Sequence, residues 1–107
     1  MRLSELEKNQ IIQAVEQHIS PTGAELRLYG SRSDPKQKGG DIDLLFIVPN
    51  EQVYQEALDK KLDIVVTIKQ FLGDQKIDFT IATVTDLISD PFIQLILPKS
   101  LVMKRWG

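Results

Sequence analysis

The run Asp41-Ile42-Asp43-Leu44-Leu45-Phe46-Ile47-Val48 sets the strongest constraint on what this chain folds into. Its apolar stretch is stopped by Pro49 and Asn50, which predicts a buried strand over 41–48. A strand that merely fills a core has no use for carboxylates, because an unpaired buried charge is expensive. In extended chain, residues i and i+2 project to one side, so Asp41 and Asp43 face the same way. Side by side they repel unless a cation sits between them. Magnesium suits that arrangement, since it takes oxygen ligands and bridges carboxylates to substrate phosphates. The plainer alternative is a strand-edge pair turned to solvent.

The rest of the chain supplies the frame. Ser4 and Glu7 have capping-box spacing, and Ile11, Val15 and Ile19 recur every four residues, predicting an amphipathic helix to about Ile19. Pro21 and Gly23 end it. Glu25–Tyr29 alternates as a short strand, and the polar stretch Ser33–Gly40 reads as a loop. Residues 51–72 contain a β-branched run, Ile64 to Ile68. At helical pitch, however, Tyr54, Leu58, Leu62, Val65, Ile68 and Leu72 share one face, with Glu56, Asp59, Asp63, Thr67 and Gln70 opposite. Gly73 then caps a helix. Lys76–Ala82 reads as a strand, Asp90-Pro91 opens a short helix to about Leu97, and Leu101–Trp106 is a last strand. The order α-β-β-α-β-α-β predicts an α/β (α+β) domain: a small mixed β-sheet with helices packed mainly on one face.

At 107 residues, the chain is expected to form a single domain over 1–107. A net charge of −2 and a pI near 5.3 give no overall basic field to attract nucleic acid. Without cysteine, disulfides and thiolate metal sites are excluded. The charged N-terminus does not resemble a signal peptide, and no apolar run approaches the roughly 18 residues of a membrane span, so a cytoplasmic protein is expected.

Two further features point to phosphate chemistry. Gly30 closes the first strand, where a glycine lets backbone amides approach a phosphate, and the Ser31 hydroxyl adds a donor. Arg32, Lys36 and Lys38 surround the same stretch with positive charge, although the two lysines read equally well as a solvated loop. Asp78 repeats the pattern of a carboxylate on an otherwise apolar strand. If its strand neighbours that of Asp41 and Asp43, three carboxylates converge, which is the kit for two-metal phosphoryl transfer. The simpler reading of Asp78 is an exposed position on an edge strand. His18, on the side of Ile11 and Val15 near a helix C-terminus, reads as a partly buried residue favoured by the helix dipole, not as a catalytic one.

Gly30-Ser31, nine residues (32 to 40), then Asp41-Ile42-Asp43-Leu44-Leu45 resembles the signature of the DNA polymerase beta-type nucleotidyltransferase superfamily, and within it the minimal nucleotidyltransferases. Asp78 occupies the place of that family's third carboxylate. The likeness covers residues 25 to 82 well and extends more loosely through DPFIQLIL and the last strand. It implies a nucleotidyltransferase fold and transfer of a nucleoside monophosphate from an NTP, with AMP from ATP expected, to a hydroxyl acceptor. By position, the resemblance assigns nucleotide binding to Gly30, Ser31 and Arg32. Asp41, Asp43 and Asp78 become the catalytic residues and the ligands of a two-metal Mg2+ site, and Asp78 a candidate base. Small members often accompany a HEPN-type toxin as its antitoxin, some by adenylylating it, so a protein partner of that type is expected.

The alternative is an interaction protein: an antitoxin that neutralises its partner by binding, without turnover. A nucleic-acid polymerase fragment is disfavoured by the acidic pI and the lack of aromatic-basic stacking platforms. A homo-oligomer is compatible with either reading. Phe92, Ile93, Leu101, Met103 and Trp106 form the expected docking surface for a partner.

Overall fold

The computed structural model describes residues 3–30 and 41–107. Helix α1 (Glu5–His18) begins on the capping box foreseen: Ser4 Oγ accepts from the Glu7 amide at 3.1 Å, while Glu7 Oε1 accepts from the Ser4 amide at 3.0 Å. Its Ile11, Ala14 and Val15 are buried. The chain turns through Gly23 into β1 (Glu25–Tyr29), whose Leu26 and Leu28 point into the core while Glu25, Arg27 and Tyr29 face the other way. Strand β2 (Ile42–Val48) follows, then α2 (Glu51–Leu72), β3 (Ile77–Thr83), α3 (Asp86–Ser89), α4 (Pro91–Ile96), a 3-10 turn at Leu97–Lys99, and β4 (Leu101–Arg105).

The four strands form one mixed sheet in the order β3-β2-β1-β4. β1 pairs antiparallel with both β2 and β4, whereas β2 and β3 run parallel. Parallel neighbours require a crossover, and α2 provides it. Ile42, Leu44, Phe46 and Val48 of the central β2 pack with both long helices in one core, where Phe46 meets Phe79 at 5.6 Å and Trp106 at 6.0 Å between ring centroids. Leu45 and Ile47, on the opposite face, join Ala82 and Ile93 in a smaller cluster roofed by α4. The expected α/β (α+β) architecture is therefore present, with its two long helices on one face and short α3 and α4 on the other. No helix among the described residues is long and apolar enough to cross a membrane.

Three details differ from the sequence reading. α2 is rotated relative to the face expected for it: its buried line is Ala57, Ile64 and Ile68, while Leu58 and Leu62 are 41% and 73% exposed. The cause is the contact with α1, which recruits two residues expected on the solvent side. Glu56 Oε1 accepts from the Ser20 amide at 3.0 Å, and Thr67 Oγ1 lies 2.8 Å from His18 Nε2. The second difference is α3, stapled by a reciprocal pair in which Asp86 Oδ2 accepts from the Thr83 amide and Thr83 Oγ1 from the Asp86 amide. The third concerns the docking surface: Ile93 and Met103 are buried and Trp106 packs on the main core, leaving Phe92 and Leu101 exposed. The expected loop Ser33–Gly40 lies outside the described residues.

Candidate functional site

Topology gathers the motif residues at one end of the sheet. Because β1 runs antiparallel to β2, its C-terminal end lies beside the start of β2; because β3 runs parallel to β2, it starts at the same end. The ladder brings Tyr29, Asp43 and Asp78 into a single row, Tyr29 opposite Asp43 and Asp43 opposite Asp78. Neighbouring strands lie about 5 Å apart, so the two carboxyl groups stand within reach of each other. Asp78 is indeed exposed on an edge strand, as the simpler reading held, yet it faces Asp43 directly.

Gly30 meets Asp43 from the other side. It has a φ of +76°, a region that L side chains rarely adopt. A Cβ placed there would overlap Asp43 Oδ2 and lie 3.2 Å from its Cγ. The carboxylate thus fills the space that any other residue's side chain would need. Asp41 is exposed and precedes β2. Among the described residues, no three acidic or histidine side chains form a cluster that would cage a metal ion. Ser31 and Arg32, with Lys36 and Lys38, lie outside the described residues.

The electrostatics follow from this crowding. Asp43 is half-buried, and its pKa is pushed from an ordinary value of 3.8 up to about 6. Burial is the largest cause, followed by the hydrogen bond it shares with Asp78, then the negative charges of Asp78 and Asp41; Lys76 pulls the other way.

Two residues of this neighbourhood were missed in reading the sequence. Tyr29 places its hydroxyl 3.3 Å from Thr80 Oγ1 on β3, so its ring crosses over the intervening β2 beside Asp43. It meets Phe92 edge-on at 6.2 Å between centroids. Burial raises the pKa of its phenol, the Thr80 hydrogen bond lowers it, and the charges of Asp43 and Asp78 raise it further. Tyr29 separates the carboxylate site from the apolar cluster beneath α4. Its signal was positional, immediately before Gly30. Lys76 signalled itself by standing two residues before Asp78. A cleft of about 320 Å³ adjoins the site, lined among the described residues by Tyr29, Gly30, Leu95, Ile96 and Lys99.

Residues 8–96 match the nucleotidyltransferase domain family. The chain belongs to that family. The matched span holds Gly30, Asp41, Asp43 and Asp78, and it stops before β4. As a nucleotidyltransferase domain, it belongs to a class that moves a nucleoside monophosphate between a nucleotide and an acceptor, within the DNA polymerase beta-type superfamily. No curated protein matches the chain.

Proposed function

We propose that this nucleotidyltransferase domain transfers AMP from ATP to a hydroxyl of a partner protein of the HEPN-toxin type, with magnesium at its carboxylates. The observation that carries the reading is the row at the sheet end: Asp43 directly opposite Asp78, with Gly30 packed against Asp43. The donor set fits a hard divalent cation, since every candidate ligand is a carboxylate oxygen. Burial does most to raise the pKa of Asp43, and the hydrogen bond and negative charge of Asp78 add to it, so a cation at this pair would relieve part of the crowding.

Asp43 and Asp78, in register at the sheet end, would hold the metal, and Asp41, exposed just before β2, would have to approach them to act as a third ligand. When bound, magnesium would offset phosphate charge and lower the pKa of the attacking hydroxyl. Asp78 would accept the proton of the acceptor hydroxyl, a role its greater exposure within the facing pair supports. The acceptor oxygen bonds to the α-phosphorus, the bond from that phosphorus to the oxygen bridging to the β-phosphorus breaks, and pyrophosphate leaves. Gly30, having no side chain, makes room for the Asp43 carboxylate at the sheet end, and Ser31 and Arg32 would supply donors to the triphosphate from the adjoining residues. The cleft beside Tyr29 and Lys99 would offer room for part of the nucleotide.

The test is incubation with ATP labelled at the α-phosphate, magnesium and a small helical HEPN-type protein encoded beside it. Label should appear on the partner and disappear with Asp43→Asn. Tight binding of the partner without transfer would assign neutralisation by binding alone, and no binding would reject both readings.

A further inference from the structure

The rotation of α2 leaves a stripe with a pattern of its own on the back of the helix. Asp59, Leu62, Val66 and Lys69 follow 3-4-3 spacing and fall within an arc of about 80°. That arc is turned away from the buried line of Ala57, Ile64 and Ile68. Leu62 is 73% exposed and Val66 45%, Asp59 is exposed, and Lys69 is half-buried. Among the described residues, neither Asp59 nor Lys69 makes a salt bridge. A groove of about 430 Å³ lined by Leu58, Lys61, Leu62, Val65 and Ile77 extends the apolar surface toward the start of β3.

The order of the stripe, acid, apolar, apolar, base, is complementary to itself when reversed. We infer that α2 is a homodimer seam: two copies pair their α2 helices antiparallel across a two-fold axis passing beside Ile64. Asp59 of each copy then faces Lys69 of the other, and Leu62 of each faces Val66 of the other. This is the isologous pattern a two-fold requires, residue i meeting j while j meets i, and 3-4-3 spacing is that of a coiled-coil seam. Parallel pairing would set Asp59 against Asp59 and Lys69 against Lys69, so charge selects the antiparallel form. α2 packs on the face of the sheet opposite to Asp43 and Asp78, and both sites remain open in the dimer. The inference is independent of the reaction proposed above.

One helix pair buries little surface, so the dimer is weak and concentration-dependent. Sedimentation equilibrium of the full chain at low salt, from about 1 µM to about 1 mM, reads it directly. Asp59→Lys alone and Lys69→Asp alone each set like charges together at two symmetric places, and should raise the dissociation constant about tenfold. The double variant Asp59→Lys/Lys69→Asp should restore it, and in the dilute, monomeric range all three should melt close to the wild type, Asp59 being exposed and Lys69 half-buried. A chain monomeric throughout this range, single variants that dimerise like the wild type, or a double variant as weak as the singles would each overturn the seam.

Discussion

Gly30 is the residue on which the site's geometry turns. Alanine there meets two penalties: a positive φ that its Cβ resists, and the carboxylate of Asp43 in the space that Cβ needs. Gly30→Ala should therefore destabilise the fold by roughly 1–3 kcal/mol in urea denaturation. It should depress nucleotidyl transfer beyond what the stability loss explains, because Asp43 must shift. Asp43 itself carries a pH signature. Its pKa rises from 3.8 unfolded to about 6 folded, so the folded chain holds an extra proton between those values. Its contribution to stability is full below pH 3.8 and is lost as pH rises through 6. Without metal, the melting temperature of the wild type should fall across that window relative to Asp43→Asn, which lacks the titrating group. A variant that tracks the wild type would remove Asp43 as the source. The meeting of Asp43 with Asp78 was legible because charge on an otherwise apolar strand is conspicuous. Tyr29 was not, since an aromatic at a strand end is ordinary until its register partner is known.

At the level of elements, ends were easier to read than faces. Ser4, Asn50 and Asp90 all cap the helices they precede, because capping is a local hydrogen bond between residues close in sequence. The same locality gives a prediction. Asp90 Oδ1 accepts from the Phe92 and Ile93 amides at the start of α4. Asp90→Ala should cost about 1 kcal/mol, measured by chemical denaturation, and Asp90→Ser should recover most of it. The orientation of α2 was not legible from periodicity. Its apolar arc is wider than the contact the sheet and α1 make with it, and hydrogen bonds from Ser20 and His18, distant in sequence, decide which part is buried. α3 was missed because a four-residue helix has no periodicity to detect, although Thr83-x-x-Asp86 carried the spacing of its staple.

For the molecule as a whole, the carboxylate row is a concentration of negative charge that a divalent ion would relieve. Magnesium or manganese, measured by thermal melting against a chelator control, should raise the melting temperature of the wild type. The gain should vanish in Asp43→Asn and be larger at pH 8 than at pH 5, where protons compete for the same oxygens. An equal gain in the variant would place the ion elsewhere.

The parallel pairing of β2 with β3 also has a consequence for the order in which the chain assembles. β1 and β2 adjoin through a short stretch of chain, but β3 reaches β2 only after the whole of α2 has been laid across the sheet. Such long-range closure is entropically unfavourable until it is complete, so β3 is expected to pair with β2 only once α2 is in place. Asp43 and Asp78 sit on opposite sides of that closing step, in register with each other, and their repulsion opposes it. The two carboxylates should therefore disfavour that closure when both are ionised, and a proton or a cation between them should relieve it. The pocket is complete only when the fold is.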